Sequence, residues 1–341
     1  MPWWIWAGFV ALVSALIFFD LVVLHRRAHV ISLKEALSWT ALWVSIALGF
    51  NYVVYLMYDG QLFSHLVPEG AASGKEAAIQ FFTGYVVEYS LSIDNIFVIA
   101  MIIANFHVPQ EHQHRLLFWG VMGAAVLRGV MIALGTALVK QFDWVMYLFG
   151  GLLILSAAKM LVTRHDNIDP ENNLLVRLTR KFYPVTTEFH GKRFFIEENG
   201  RRIATPMLLA LVLIESCDVM FAVDSIPAVF AITQDPFLVF TSNIFAVLGL
   251  RSLYFALAGL MDKFAYLKTS LVFLLVFVGM KMILSHHYPI PNVASLAIIG
   301  GILGVGILTS IVASKRDTAK LHSPLEPEIA DAPDVGEPVD G

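Results

Sequence analysis

The sequence is poor in charge and nearly devoid of thiols. Of its 341 residues only 15% are Asp, Glu, Lys or Arg, against about 25% in soluble proteins. Apolar residues reach 57% before glycine is counted, so too few charged side chains remain to coat a soluble globule of this size. A soluble enzyme is excluded. The single cysteine, Cys217, rules out an intramolecular disulfide framework and a cysteine-based zinc or iron–sulfur site. No H-E-x-x-H or G-x-S-x-G pattern occurs, and the paired aspartates lack the G-x-G-D context of intramembrane aspartyl proteases. No enzyme activity, cofactor or nucleic-acid partner is expected. What is present in abundance is hydrocarbon: mean hydropathy is +0.71, which points to an all-α polytopic membrane protein.

Crossing about 30 Å of hydrocarbon takes about 20 apolar residues. Nine runs qualify, near 3–24, 36–58, 79–104, 116–139, 142–163, 206–233, 238–261, 266–285 and 294–314. The first lacks a basic leader and a small-residue cleavage site, so it reads as a retained helix. Nine spans divide the connections into two alternating sets. One set (25–35, 105–115, 164–205, 262–265 with Lys268, and the C-terminus) holds 17 Lys and Arg, and the other holds only Lys75 and Lys140. That bias places the N-terminus outside and the C-terminus in the cytoplasm.

The expected organisation is two N-terminal spans (1–78), a first three-helix unit (79–163), a basic cytoplasmic loop (164–205), a second three-helix unit (206–285), a last span (286–314) and a disordered tail (315–341). Within the loop, β-prone residues flank Asn199-Gly200, which predicts a hairpin with a type I′ turn. His107, His112 and His114 read as part of a solvated loop. Gly300, Gly301, Gly304 and Gly306 in the last span predict close helix packing.

Six carboxylates fall inside spans: Asp20, Glu88, Asp94, Glu215, Asp218 and Asp224. Unpaired at the bilayer centre they would cost roughly 15 to 20 kcal/mol together. Four bases, Arg128, Lys159, Arg251 and Lys281, lie in spans as well and would compensate four of them. The remaining two charges match one divalent cation or two protons. For Asp20 a structural ion pair is the expectation.

The other acids recur. Glu88 to Ile99 reads E-Y-S-L-S-I-D-N-I-F-V-I, and Asp218 to Val229 reads D-V-M-F-A-V-D-S-I-P-A-V. Each motif is followed by a span with a central arginine, Arg128 or Arg251, and then by a Lys-Met pair, Lys159-Met160 or Lys281-Met282. Units of three spans enter the membrane from opposite sides, which predicts an inverted three-plus-three repeat. Secondary transporters use that architecture, with the site near the midplane between the halves. On an unbroken helix, acids six residues apart diverge by about 240°, so a break at Pro227 is expected to turn Asp218 and Asp224 inward together.

The candidate ligands Glu88, Asp94, Glu215, Asp218, Asp224, Asn95 and Ser225 are all oxygen donors, a set that suits magnesium, calcium or manganese. Cys217 and Met220 are the nearby soft atoms, and core packing is their expected role.

The stretches E-Y-S-L-S-I-D-N (Glu88 to Asn95), E-S-C-D-V-M-F-A-V-D-S-I-P-A (Glu215 to Ala228) and T-S-N-I-F-A-V-L-G-L-R (Thr241 to Arg251) resemble the TerC family of integral membrane proteins, particularly its Alx-like manganese exporters within the LysE-type superfamily. The resemblance extends over about residues 10–314. It implies export of manganese(II), with Glu88, Asp94, Glu215, Asp218 and Asp224 handling the metal. Two departures stand out: Tyr89 replaces the lysine common after the first glutamate, and Cys217 replaces the serine common before Asp218. The expected mechanism rocks the two repeats about a site centred on Asp94 and Asp224, while Arg128, Arg251, Lys159 and Lys281 neutralise acids in the metal-free state. Protonation of the acids would promote release, which is compatible with metal/proton exchange. The alternatives are an exporter of a small cationic solute, which would want aromatic or apolar walls around the acids, and a metal-delivery or assembly factor for exported proteins. Beyond the lipid bilayer, a homo-oligomer or a membrane-protein partner is left open.

Overall fold

The computed structural model describes residues 1–24, 32–60, 72–162, 173–186, 188–198, 200–257, 267–285, 288 and 290–321. It is almost entirely helical. In chain order the elements are α1 (Trp3–Leu24), α2 (Leu33–Tyr58), α3 (Gly74–Asn105), α4 (Gln110–Gln141), α5 (Trp144–Val162), α6 (Leu174–Phe182), β1 (Phe195–Glu198), β2 (Arg201–Ala204), α7 (Pro206–Phe230), α8 (Pro236–Leu248), α9 (Leu250–Leu257), α10 (Leu267–Leu284) and α11 (Asn292–Leu321). Among the described residues eight segments are long and apolar enough to cross a membrane, with α8 and α9 forming one of them, and Thr269–Leu284 adds a shorter apolar helix. These are the nine runs read from the sequence.

Local chemistry sets several helix starts. Ser32 accepts from the backbone N–H of Glu35 to cap α2, and Ser73 with Glu76 forms a capping box on α3. Asp235 accepts from the amides of Phe237 and Leu238 to start α8, with Pro236 at a position where a missing N–H costs nothing. Each cap satisfies amides that have no partner within the helix.

Helix α3 lies at the centre, packed against α2, α7, α8 and α11, and α10 runs along α5. Rings fasten the N-terminal pair to this centre: Phe9 of α1 meets Phe237 at 6.0 Å and Phe240 at 5.7 Å, while Phe50 of α2 meets Phe81 at 5.6 Å and Phe245 at 4.7 Å. Such contacts matter because lipid is as apolar as a leucine side chain, leaving dispersion and shape to hold membrane helices together.

Three expectations change. Helix α7 runs unbroken through Pro227, which sits in its last turn. The interruption falls in the seventh span instead, at Gly249 between α8 and α9. Three of the α11 glycines are not tight packing points, since a Cβ on Gly300, Gly301 or Gly304 would meet no neighbour within 4 Å. Close packing occurs where α5 crosses α10: a Cβ on Gly150 would come within 2.9 Å of the Gly279 carbonyl oxygen, and one on Gly279 equally close to that of Gly150. Finally, α11 continues to Leu321, so residues 315–321 are helical and not disordered; the tail beyond, 322–341, lies outside the described residues, as does the 262–265 connection.

The 164–205 segment contains α6, which the sequence reading did not foresee, and the expected hairpin. Glu198 pairs with Arg201, leaving two residues for the turn, and Gly200 has φ +74°, the left-handed conformation a type I′ turn needs there. Asn199 lies outside the described residues. The histidines are not in a loop, except His107, which turns the chain between α3 and α4 with φ +52°. His112 is buried in the first turn of α4, and the His114 ring lies 4.4 Å from that of Phe255.

Candidate functional site

Because α3 and α7 are regular helices, the two acids of each motif look in different directions, as a six-residue spacing requires. The result is two centres.

The first is an ion-pair cluster around Arg128 of α4, whose side chain is fully buried. Its Nη2 donates to Asp218 Oδ1 at 2.8 Å and its Nε to Asp218 Oδ2 at 3.2 Å, a two-point grip from α4 onto α7. Its Nη1 donates to Glu88 Oε1 of α3 and reaches Ser225 Oγ at 3.5 Å. One guanidinium thus joins an acid from each motif. Two carboxylates share one cation, and Glu88 Oε2 is buried without a hydrogen-bond partner.

The second centre is a cavity of about 320 Å³. Asp94 and Asn95 of α3 line it, opposite Asp224 and Ser225 of α7, so the D-N and D-S pairs of the two motifs meet in one space. Helix α5 contributes Ser156, Lys159 and Met160, and the walls are completed by Leu91, Leu155, Met220, Phe221, Val223, Leu271 and Leu275. Ser156 Oγ donates to Asp224 Oδ1 at 2.6 Å and fixes that carboxylate. Asp94 and Asp224 with the Lys159 ammonium leave a formal charge of about one negative, which a cation would reduce.

The remaining candidates lie elsewhere. Glu215 presses against Gly123 of α4, where a Cβ would overlap its carboxylate, and its Oε2 has no hydrogen-bond partner. Arg251 forms an ion pair with Asp20 of α1, as expected of Asp20, and Lys281 Nζ donates to Asn292 Oδ1 at 3.3 Å. Among the described residues no three His, Cys, Asp or Glu side chains converge as a metal-holding group. Cys217 is buried in the core, as expected. Met220 is not: it is 47% exposed and lines the cavity.

Sequence reading did not pick out Ser156 or Gly123. A serine in an apolar span bonds its own helix as readily as a distant acid, and nothing local marks a glycine that makes room for a carboxylate. Met160 was noticed only as part of a repeated Lys-Met pair.

Residues 73–318 match the family described as integral membrane protein TerC. The chain is 47% identical over 331 residues to an uncharacterized membrane protein of Myxococcus xanthus, covering 97% of each. It is 42% identical over 309 residues to an Escherichia coli K12 protein named Alx, provisionally described as a membrane-bound redox modulator, covering 90% of this chain and 93% of that one. A further uncharacterized membrane protein, from Rickettsia bellii, is 36% identical over 307 residues, 90% of this chain and 97% of the relative. No solved structure matches.

Proposed function

The chain belongs to the TerC family of integral membrane proteins, and on that premise we propose that it is a secondary transporter exporting manganese(II) from the cytoplasm across the bacterial inner membrane, N-terminus outside and C-terminus inside. The observation that carries the proposal is the meeting of Asp94-Asn95 and Asp224-Ser225 in one cavity. Two carboxylates with amide and hydroxyl oxygens form a hard donor set suited to a dication.

The packing supports an inverted repeat. Asp224 follows Asp94 by 130 residues and Arg251 follows Arg128 by 123, so Gly84 corresponds to Ile214 and Gly120 to Asn243. A Cβ on Gly84 of α3 would meet Ser242 Oγ of α8 at 3.0 Å, and one on Gly120 of α4 would meet Ile214 Cγ2 of α7 at 3.3 Å. Each unit's first helix therefore crosses the other's second at corresponding places, within one residue. A two-fold axis in the membrane plane exchanges the units in this way.

In this reading Asp94 and Asp224 take the ion, Ser156 holds Asp224 ready, and Lys159 offsets acid charge when the site is empty. Arg128 joins Glu88 and Asp218 across the two units. Protons arriving at the cavity acids would weaken metal binding and favour release, giving metal/proton exchange. A redox effect like that in the relatives' name would then follow from the metal balance of the cell, since this sequence has one cysteine and it is buried.

Purified protein in liposomes should carry manganese, and Asp94→Asn and Asp224→Asn should each reduce flux to the level of empty vesicles. Undiminished flux in both variants would defeat the site assignment. The apolar walls and the volume, near the lower limit of small-molecule pockets, favour a second reading, export of a small organic cation. Manganese flux that micromolar manganese fails to saturate, while an organic ammonium ion saturates its own transport, would support that reading instead.

A further inference from the structure

Two carboxylates, an amide and a hydroxyl do not by themselves separate manganese from magnesium or calcium, since all three accept hard oxygen donors. The cavity offers two further donors. Met220 precedes Asp224 by four residues on α7, and Met160 follows Ser156 by four on α5. That spacing puts each thioether on the same helix face as an oxygen group, one turn away. Both methionines line the cavity with Asp94, Asp224 and Ser156.

Resting on the metal-transport reading above, we propose that the thioethers of Met160 and Met220 make this cavity select transition-metal dications over magnesium and calcium. Sulfur is polarizable and uncharged. It adds little for the hard alkaline-earth ions, more for manganese, and most for softer ions such as cadmium. The two methionines are therefore specificity-determining residues, and the carboxylates supply affinity common to all dications.

The test uses the full-length protein and Met160→Leu/Met220→Leu, a change that keeps bulk and apolar character and removes sulfur. Equilibrium binding of cadmium, manganese and calcium to purified protein is measured beside manganese flux in liposomes under calcium competition. The double variant should bind cadmium about tenfold more weakly and lose about tenfold of its manganese-over-calcium preference, with calcium binding unchanged. Unaltered cadmium affinity and unaltered preference in a variant that still transports manganese would overturn the thioether role and leave the transport reading standing. Wild-type protein that carries no manganese would defeat the transport reading, but a cadmium affinity lost with the sulfurs would still uphold selection by the thioethers. Absence of cadmium binding to the wild type would overturn the inference outright.

Discussion

Arg251 and Asp20 show what a buried charge demands of its neighbour. The arginine is 5% exposed and held by a carboxylate from α1. Asp20→Asn removes the counter-charge and leaves the guanidinium enclosed, which should cost about 3 to 5 kcal/mol. The midpoint of denaturant unfolding in detergent should fall accordingly, and combining Asp20→Leu with Arg251→Met should restore most of the loss. An Asp20→Asn variant as stable as wild type would show that the pair is not structural. At this scale the sequence was most informative about repeated residues. Asp94 and Asp224 were legible because the same motif occurs twice, and Asp20 because a lone acid in a span needs a partner. The identity of that partner was not legible, because Arg251 follows it by more than two hundred residues and only the fold brings them together. Ser156 had no signal, since its role depends on a carboxylate on another helix.

Two helices can bring backbone against backbone where both partners are small. Gly150 of α5 and Gly279 of α10 bring backbone against backbone, and an added methyl at either would strike a carbonyl oxygen that cannot step aside. Gly150→Ala or Gly279→Ala should therefore destabilise the protein by about 1 to 3 kcal/mol through overpacking. Gly300→Ala on α11, which faces open space, should be neutral or slightly stabilising. Thermal unfolding of the three variants in detergent checks the order, and equal midpoints would refute it. The sequence pointed to α11 because its glycines are clustered. Composition reports that a helix could be approached closely, whereas the approach itself depends on which face a neighbour covers. The same limit explains Pro227: a proline in the last turn has few hydrogen bonds left to break, so α7 passes through it unbroken.

Across the whole chain, hydropathy and basic-residue bias made the spans legible because the bilayer imposes a length and a charge rule on every crossing. The order in which the spans pack was not legible, since lipid-exposed and protein-covered faces are equally apolar. Sidedness is open to direct test. With Cys217 changed to Ala and Lys192, exposed near the hairpin, changed to Cys, a membrane-impermeant maleimide should label the protein in inside-out vesicles and not in intact cells. Labelling of intact cells would reverse the orientation.

Arg128 and Arg251 follow the two acidic motifs at matching places in the sequence, yet their partners differ in kind. Arg128 grips one acid from each unit, whereas Arg251 is held by α1, which belongs to neither. Two alike halves with nothing else attached would make the inward-open and outward-open forms degenerate, each occupied half the time. In the alternating-access reading proposed above, Asp20, a partner that belongs to neither unit, would lift that degeneracy. The first helix would then act as a weight on one pan of a two-state balance, and the resting population would lean by as much free energy as the pair gains in one form over the other.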